Sequence, residues 1–319
     1  MLLKTPHWRQ TPPAIFPVTL GFMGLGLAWR NAADVLPLPR EIGDLLLGVS
    51  TPFFLFFLVF YLAKLAARPA VLLDDVKAPP ARAGIAALAM SMMLLAAVLL
   101  PFNIGVSQVW WTGVILQILA SIVVVYAMWK DPPKSRQFTP FQYLTFVGLI
   151  VGPVAGIPLG YVTESYILAY LSMASFVIIT LGYGRKLIQV RPPVPLRPTL
   201  VIVLAPISLF ALCFGQLHVD LLFTLFYWAT WPVALVLLAL GLWLTKGGWT
   251  PVWGAFTFPI ATFTNVQVMG VTKGYGAFAS AGIYAGLVVG TPLILYIVYR
   301  ATKAWTTGEL ASKSGAATA

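Results

Sequence analysis

Residues 199–217 read TLVIVLAPISLFALCFGQL. The run carries no charge, and about 20 apolar residues in a helix are what cross the ~30 Å hydrocarbon core of a bilayer. Its flanks differ in kind, with Arg191 and Arg197 before it and His218 and Asp220 after it. The same alternation of apolar run and short polar break continues in both directions along the 319-residue chain. Of all residues 60% are hydrophobic and 9% charged, with a mean hydropathy of +0.90, whereas a soluble domain carries about 25% charged residues. The sequence predicts an all-α polytopic membrane protein.

Ten segments emerge when apolar runs are divided at charge, Pro and Gly: 13–30, 42–66, 81–101, 106–129, 141–161, 163–183, 199–217, 219–244, 250–271 and 276–300. They form one transmembrane domain over 1–319, with short tails at about 1–12 and 301–319. Loop charge orients it. The face holding both termini has seventeen basic residues: Lys4, Arg9, Lys64, Arg68, Lys77, Arg82, Lys130, Lys134, Arg136, Arg185, Lys186, Arg191, Arg197, Lys246, Arg300, Lys303 and Lys313. The opposite face has three, Arg30, Arg40 and Lys273. That bias places both termini in the cytoplasm. Reading the first span as a cleaved signal peptide would leave nine spans and put the new N-terminus on the wrong side for the bias.

The net charge of +11 is thus a topology signal in short loops, and the sequence predicts no nucleic-acid partner. The single cysteine, Cys213, excludes a disulfide framework or a thiolate metal site. His7 and His218 belong to no ligand cluster, and there is no Ser-His-Asp set, carboxylate pair or phosphate-binding glycine loop. The expectation is a chain with no catalytic site, metal or cofactor.

A repeat runs through the second half. Pro153, Pro206 and Pro259 recur at intervals of 53 residues inside the fifth, seventh and ninth segments, and Pro198 and Pro251 stand at the same interval at helix starts. Pro17 has a comparable place in the first segment, while the third has no internal proline. Hairpins returning the chain to one side imply a parallel repeat about the membrane normal. A proline inside a helix releases the carbonyl four residues earlier: Leu149 for Pro153, Ile202 for Pro206 and Ala255 for Pro259. In hydrocarbon those carbonyls need protein partners or a wet cavity. Because Pro52, Pro232 and Pro292 occupy even segments, simple tolerance of proline remains open.

Two glycine stripes, Gly148, Gly152, Gly156, Gly160 and Gly282, Gly286, Gly290, have the spacing of close helix packing. The first would also suit a conduit. In 253–265, WGAFTFPIATFTN, helical spacing aligns Gly254, Phe258, Thr262 and Asn265. This face suits an apolar pore plugged at Phe258, or a packed core aromatic. The segment middles hold no Asp, Glu, Lys, Arg or His, so no proton relay of the usual kind is present.

With WGAFTFP, the LAP of 204–206 and FPVTLGFMGLGLAW at 16–29, the chain resembles the tellurite-resistance/dicarboxylate transporter family over essentially its whole length. Bacterial tellurite-resistance channels and the plant guard-cell slow anion channel belong to that family. The resemblance implies ten transmembrane helices as five hairpins in a quasi-fivefold array, odd-numbered helices around a central pore, and a homotrimer with one pore per subunit. It implies a multi-pass protein of the bacterial plasma membrane whose partners are small anions and membrane lipid. The family's gate falls on Phe258, and its neighbouring pore positions fall on Phe16, Gly152 and Ala205, each immediately before a helix proline. Met90 and Ser91 are the corresponding residues of the third segment, which departs from the pattern.

Together these readings predict a passive channel for monovalent anions such as chloride and nitrate. The alternatives are a carrier for dicarboxylate, sulfite or tellurite-type oxyanions, and a membrane protein that transports nothing.

Overall fold

The computed structural model describes residues 6–131 and 137–319, and among these there is no strand. Lys4, Lys134 and Arg136 of the charge count lie outside the described residues. The principal helices are α1 (Phe16–Ala33), α2 (Arg40–Ala67), α3 (Pro79–Leu99), α4 (Val106–Lys130), α5 (Phe141–Phe146), α6 (Val162–Gln189), α7 (Leu204–Gln216), α8 (Asp220–Ala239), α9 (Gly254–Thr272), α10 (Gly276–Thr306) and α11 (Glu309–Ser314).

Seven helices among the described residues are long and apolar enough to cross a membrane: 40–67, 79–102, 106–130, 162–189, 194–216, 220–239 and 276–306. The other three expected segments differ for identifiable reasons. α1 and α9 are helical, but Gly, Thr and Asn dilute their apolar character. Fourteen of the 18 residues of α1 are buried, so its solvent is protein and not lipid. The expected helix 141–161 is not continuous. It breaks after α5 into a 3-10 turn, Gly148–Val151, and one further turn, Gly152–Gly156.

Burial separates two classes of helix. In the most apolar windows of 79–102 and 194–216, 78% and 83% of residues are buried. In 40–67, 106–130, 162–189, 220–239 and 276–306 the share is 17 to 39%. The packing follows: α1 contacts α3 and α9; α3 contacts α5 and 148–156; the 148–156 turns contact α7; α7 contacts α9. Each of these is backed by a less buried neighbour, α2 on α1, α4 on α3, α6 on 141–156, α8 on α7 and α10 on α9.

Close approach between buried helices depends on missing side chains. A Cβ on Gly21 of α1 would fall 2.1 Å from Thr257 Oγ1 and 2.6 Å from the Phe258 nitrogen. The stripe Gly282, Gly286, Gly290 seats α10 against Gln267, Thr264 and Ile260 of α9, as its spacing suggests.

The prolines act differently from the sequence reading. Pro17 and Pro153 are second residues of α-helical turns and Pro206 is the third, each following a 3-10 stretch: Pro13–Ile15, Gly148–Val151 and Val194–Val203. At that junction a missing N–H is tolerated. The carbonyls expected to be freed are occupied: Leu149 accepts from the Gly152 N–H, and Ile202 from the Leu204 N–H. Of these four, Pro259 alone lies well inside its α-helix, as Pro52, Pro232 and Pro292 do in α2, α8 and α10. The third segment, without an internal proline, is α-helical from Pro79 onward.

The carbonyls that do need help are those at the break in 141–156. Gln117 Nε2 donates to Leu144 O at 3.0 Å and Thr145 O at 2.7 Å, and Ser121 Oγ donates to Thr145 O at 2.8 Å. Trp110 Nε1 donates to Gly152 O at 2.8 Å. One face of α4 therefore completes the backbone of a helix that cannot complete itself. Leaving a buried acceptor unpaired costs about 1–3 kcal/mol. Gln117→Leu is expected to lower the melting temperature of the detergent-solubilised protein by several degrees, with Ser121→Ala milder. An unchanged melting temperature for Gln117→Leu would remove α4 from this role.

Candidate functional site

The inward elements enclose a cavity with about 70 Å³ of free space, room for a few waters or one small ion. Each of the five inward segments supplies an apolar side chain to its wall: Leu20, Met90, Ile150, Leu209 and Phe258. Towards the mouth the lining passes to Ala14, Pro80, Phe141, Pro251 and Val252, with Lys313 and Ser314 from α11. Lys313 is the one charged residue among the lining residues. Its ammonium pairs with Glu309 one turn earlier. That hydrogen bond and charge hold the Glu309 carboxyl below the usual carboxylate range. The mouth lies on the face where the two ends of the chain meet, since the Ala319 N–H donates to Arg9 O at 3.0 Å.

Phe258 is 6% exposed. Its ring rests on Gly24 of α1, where a Cβ would stand 3.3 Å from Phe258 Cδ2. The backbone beneath the ring is pinned to α1, because Thr257 Oγ1 lies 2.9 Å from Pro17 O and 2.8 Å from Gly254 O. One turn beyond the ring, Thr262 Oγ1 donates to Pro259 O at 3.0 Å. Asn265 Nδ2 donates to Ala261 O at 2.9 Å, and its Oδ1 accepts from Asn31 Nδ2 at 2.9 Å. The backbone that carries the ring is thus tied to α1 at Thr257 and Asn265.

The expected site residues divide. Phe258, Ala205, Gly254, Met90, Pro17, Pro206 and Pro259 line the cavity. Phe16 does not: it is fully buried, with its ring edge-on to Phe54 and Tyr61 of α2 at 6.2 and 5.7 Å. Gly152 faces Leu168 and Met93, and Pro153 is not among the lining residues. Ser91 Oγ stands 3.5 Å from Thr19 Oγ1. Thr262 and Asn265 serve the α1–α9 contact and the helix backbone.

Position before a proline thus gives the lumen only where that residue is already inside an α-helix. Ala205 and Phe258 are, whereas Phe16 and Gly152 are the first α-helical residues after a 3-10 turn. Leu20 and Leu209, missed from sequence, each follow their proline by three residues, but the same offset from Pro153 and Pro259 gives Gly156 and Thr262, which do not line the cavity. Ile150, Lys313 and Ser314 carry no comparable signal.

Comparisons with known proteins give the family. The family described as voltage-dependent anion channel matches residues 10–301. The chain is 25% identical over 304 residues to the "Tellurite resistance protein TehA homolog" of Haemophilus influenzae, covering 92% of this chain and 91% of that one. It is 26% identical over 145 residues to an uncharacterized transporter of Methanocaldococcus jannaschii, covering 44% and 42%. An apolar, multi-helix membrane chain matched across its cavity-forming walls belongs to the voltage-dependent anion channel family, whose members are channels or transporters and not enzymes.

Proposed function

We propose that this chain is a passive channel for small monovalent anions, gated by the Phe258 ring. The observation that carries the reading is a narrow, mostly apolar cavity that Phe258 lines and whose one charged lining residue is Lys313 at the mouth. The contacts support a ring: α1 touches α3, α3 touches 141–156, 148–156 touches α7, α7 touches α9, and α9 returns to α1. On this reading α1 and α9 cross the membrane, as does 141–156, giving ten crossings as five hairpins about one pore. Both termini lie on the cytoplasmic side of a bacterial plasma membrane, and three copies assemble with one pore each.

The gate works by filling space. With Phe258 in place the apolar walls leave no continuous water, and a dry constriction excludes ions. Turning the ring away admits an anion that has shed part of its hydration. Without a fixed positive charge in the lumen, selectivity rests on width and on the ease of dehydration.

Phe258→Ala is expected to raise chloride current through reconstituted bilayers by about tenfold or more, the equivalent of removing ~1.4 kcal/mol from the barrier. If both proteins stay silent with incorporation verified, the gate is lost. Saturable uptake answering a pH gradient would then favour a carrier for oxyanions or dicarboxylates.

In the same variant, nitrate and iodide should pass at least as readily as chloride, with fluoride and sulfate behind. Reversal potentials under bi-ionic conditions read this order, and a preference for fluoride or sulfate would refute dehydration as the filter.

A further inference from the structure

The mouth of the cavity is crossed by the end of the chain. α11 contacts the turn Pro13–Ile15 ahead of α1 and the turn Pro251–Trp253 ahead of α9. Leu310 and Ser314 are buried there, and Lys313 and Ser314 face the cavity. Residues 315–319 continue as a strap. Gly315 lies against Ala78, the Ala317 N–H donates to Asp75 Oδ1 at 2.9 Å, and Arg68 Nη1 donates to Thr318 O at 2.8 Å.

Asp75 is a prepared acceptor. Its side chain and that of Lys64 are both 0% exposed and pair at 2.9 Å. Tyr61 donates to the same carboxylate at 3.2 Å, and Lys64 also reaches Thr11 O at 3.2 Å. The carboxylate is thus fixed by α2 whether or not the strap is present. Besides the bond to Asp75, α11 is held by Leu310 in the core and by its packing on α10, and the strap by Arg68 and by the Ala319 N–H on Arg9 O. A helix of six residues is not stable alone in water. Left-handed glycines bracket it, Gly308 at φ 76° and Gly315 at φ 67°, so it joins its neighbours through two flexible points.

We propose that Glu309–Ala319 is a built-in lid over the cavity's mouth, latched on Asp75, whose release admits anions to the chamber in front of Phe258. The inference rests on the channel reading of that chamber and adds a second, separately controlled closure to it.

The lid can be read without any ion current. In a Cys213→Ser background, Ala205→Cys places one thiol in the cavity, and a negatively charged methanethiosulfonate reports its accessibility. Ending the chain after Gly308 is expected to speed labelling several-fold. Ala317→Pro, which removes the N–H given to Asp75 and also fixes the local backbone, should fall between. Equal rates in all three overturn the lid.

A lock then tests it in the intact chain. A Cβ at Gly315 would stand 3.5 Å from Ala78 Cβ, within disulfide range. In Phe258→Ala with Cys213→Ser, the pair Ala78→Cys and Gly315→Cys should lose most of its current on oxidation and regain it on reduction. Strain at position 315 is common to both redox states and cannot mimic that reversal. Current indifferent to oxidation in a conducting protein overturns the lid. Silence of Phe258→Ala itself overturns the gate and leaves the labelling rates to decide the lid.

Discussion

Backbone carbonyls away from water must find donors, and this constraint governs how the inward walls are built. A wall with a continuous α-helix, such as α3, satisfies itself. The wall at 141–156 does not, and it exists because Trp110, Gln117 and Ser121 of α4 supply the donors its broken helix lacks. The outer helix thereby has two duties, facing lipid with most of its surface and completing the inner wall with one stripe. The 3-10 turns ahead of Pro17, Pro153 and Pro206 solve the same problem locally, since a residue without an N–H is placed where the ladder is already changing pitch.

That construction explains the composition of the inner helices. Because α1 and α9 are surrounded by protein, they can carry Gly21, Gly24, Thr257 and Asn265 without meeting hydrocarbon. Close backbone approach at Gly21 brings α1 and α9 together beside Phe258, and the Thr257 bridge to Pro17 fixes their relative height. The narrowness of the cavity is a product of this helix contact as much as of the side chains that line it.

Much of this was legible in the residues. Apolar run length marked the membrane helices, and the TFP of 257–259 drew attention to Phe258, which the structure puts in the cavity wall. The 53-residue proline interval was a true signal with a different meaning: it marks where 3-10 winding meets α-helix at Pro153 and Pro206, and not a kink in mid-helix. Hydropathy cannot see the break in 141–156, because a 3-10 turn of Gly, Leu, Ile and Val is as apolar as a helix. The complementary sign lay in α4, where Trp110, Gln117 and Ser121 share one face of an otherwise lipid-facing segment. The lining by Lys313 and Ser314 was illegible for a simpler reason, that a tail folding back over the chain leaves no periodicity behind.

The absence of charge among the lining residues other than Lys313 has a consequence for how traffic would proceed on the channel reading. An anion held among Leu20, Met90, Ile150 and Leu209 has no fixed countercharge, and its field is poorly screened by such walls. A second anion entering so small a space would meet that field almost undiminished. On the channel reading a second anion is disfavoured while the first is present, so conductance in mixtures of two permeant anions should change monotonically with their ratio.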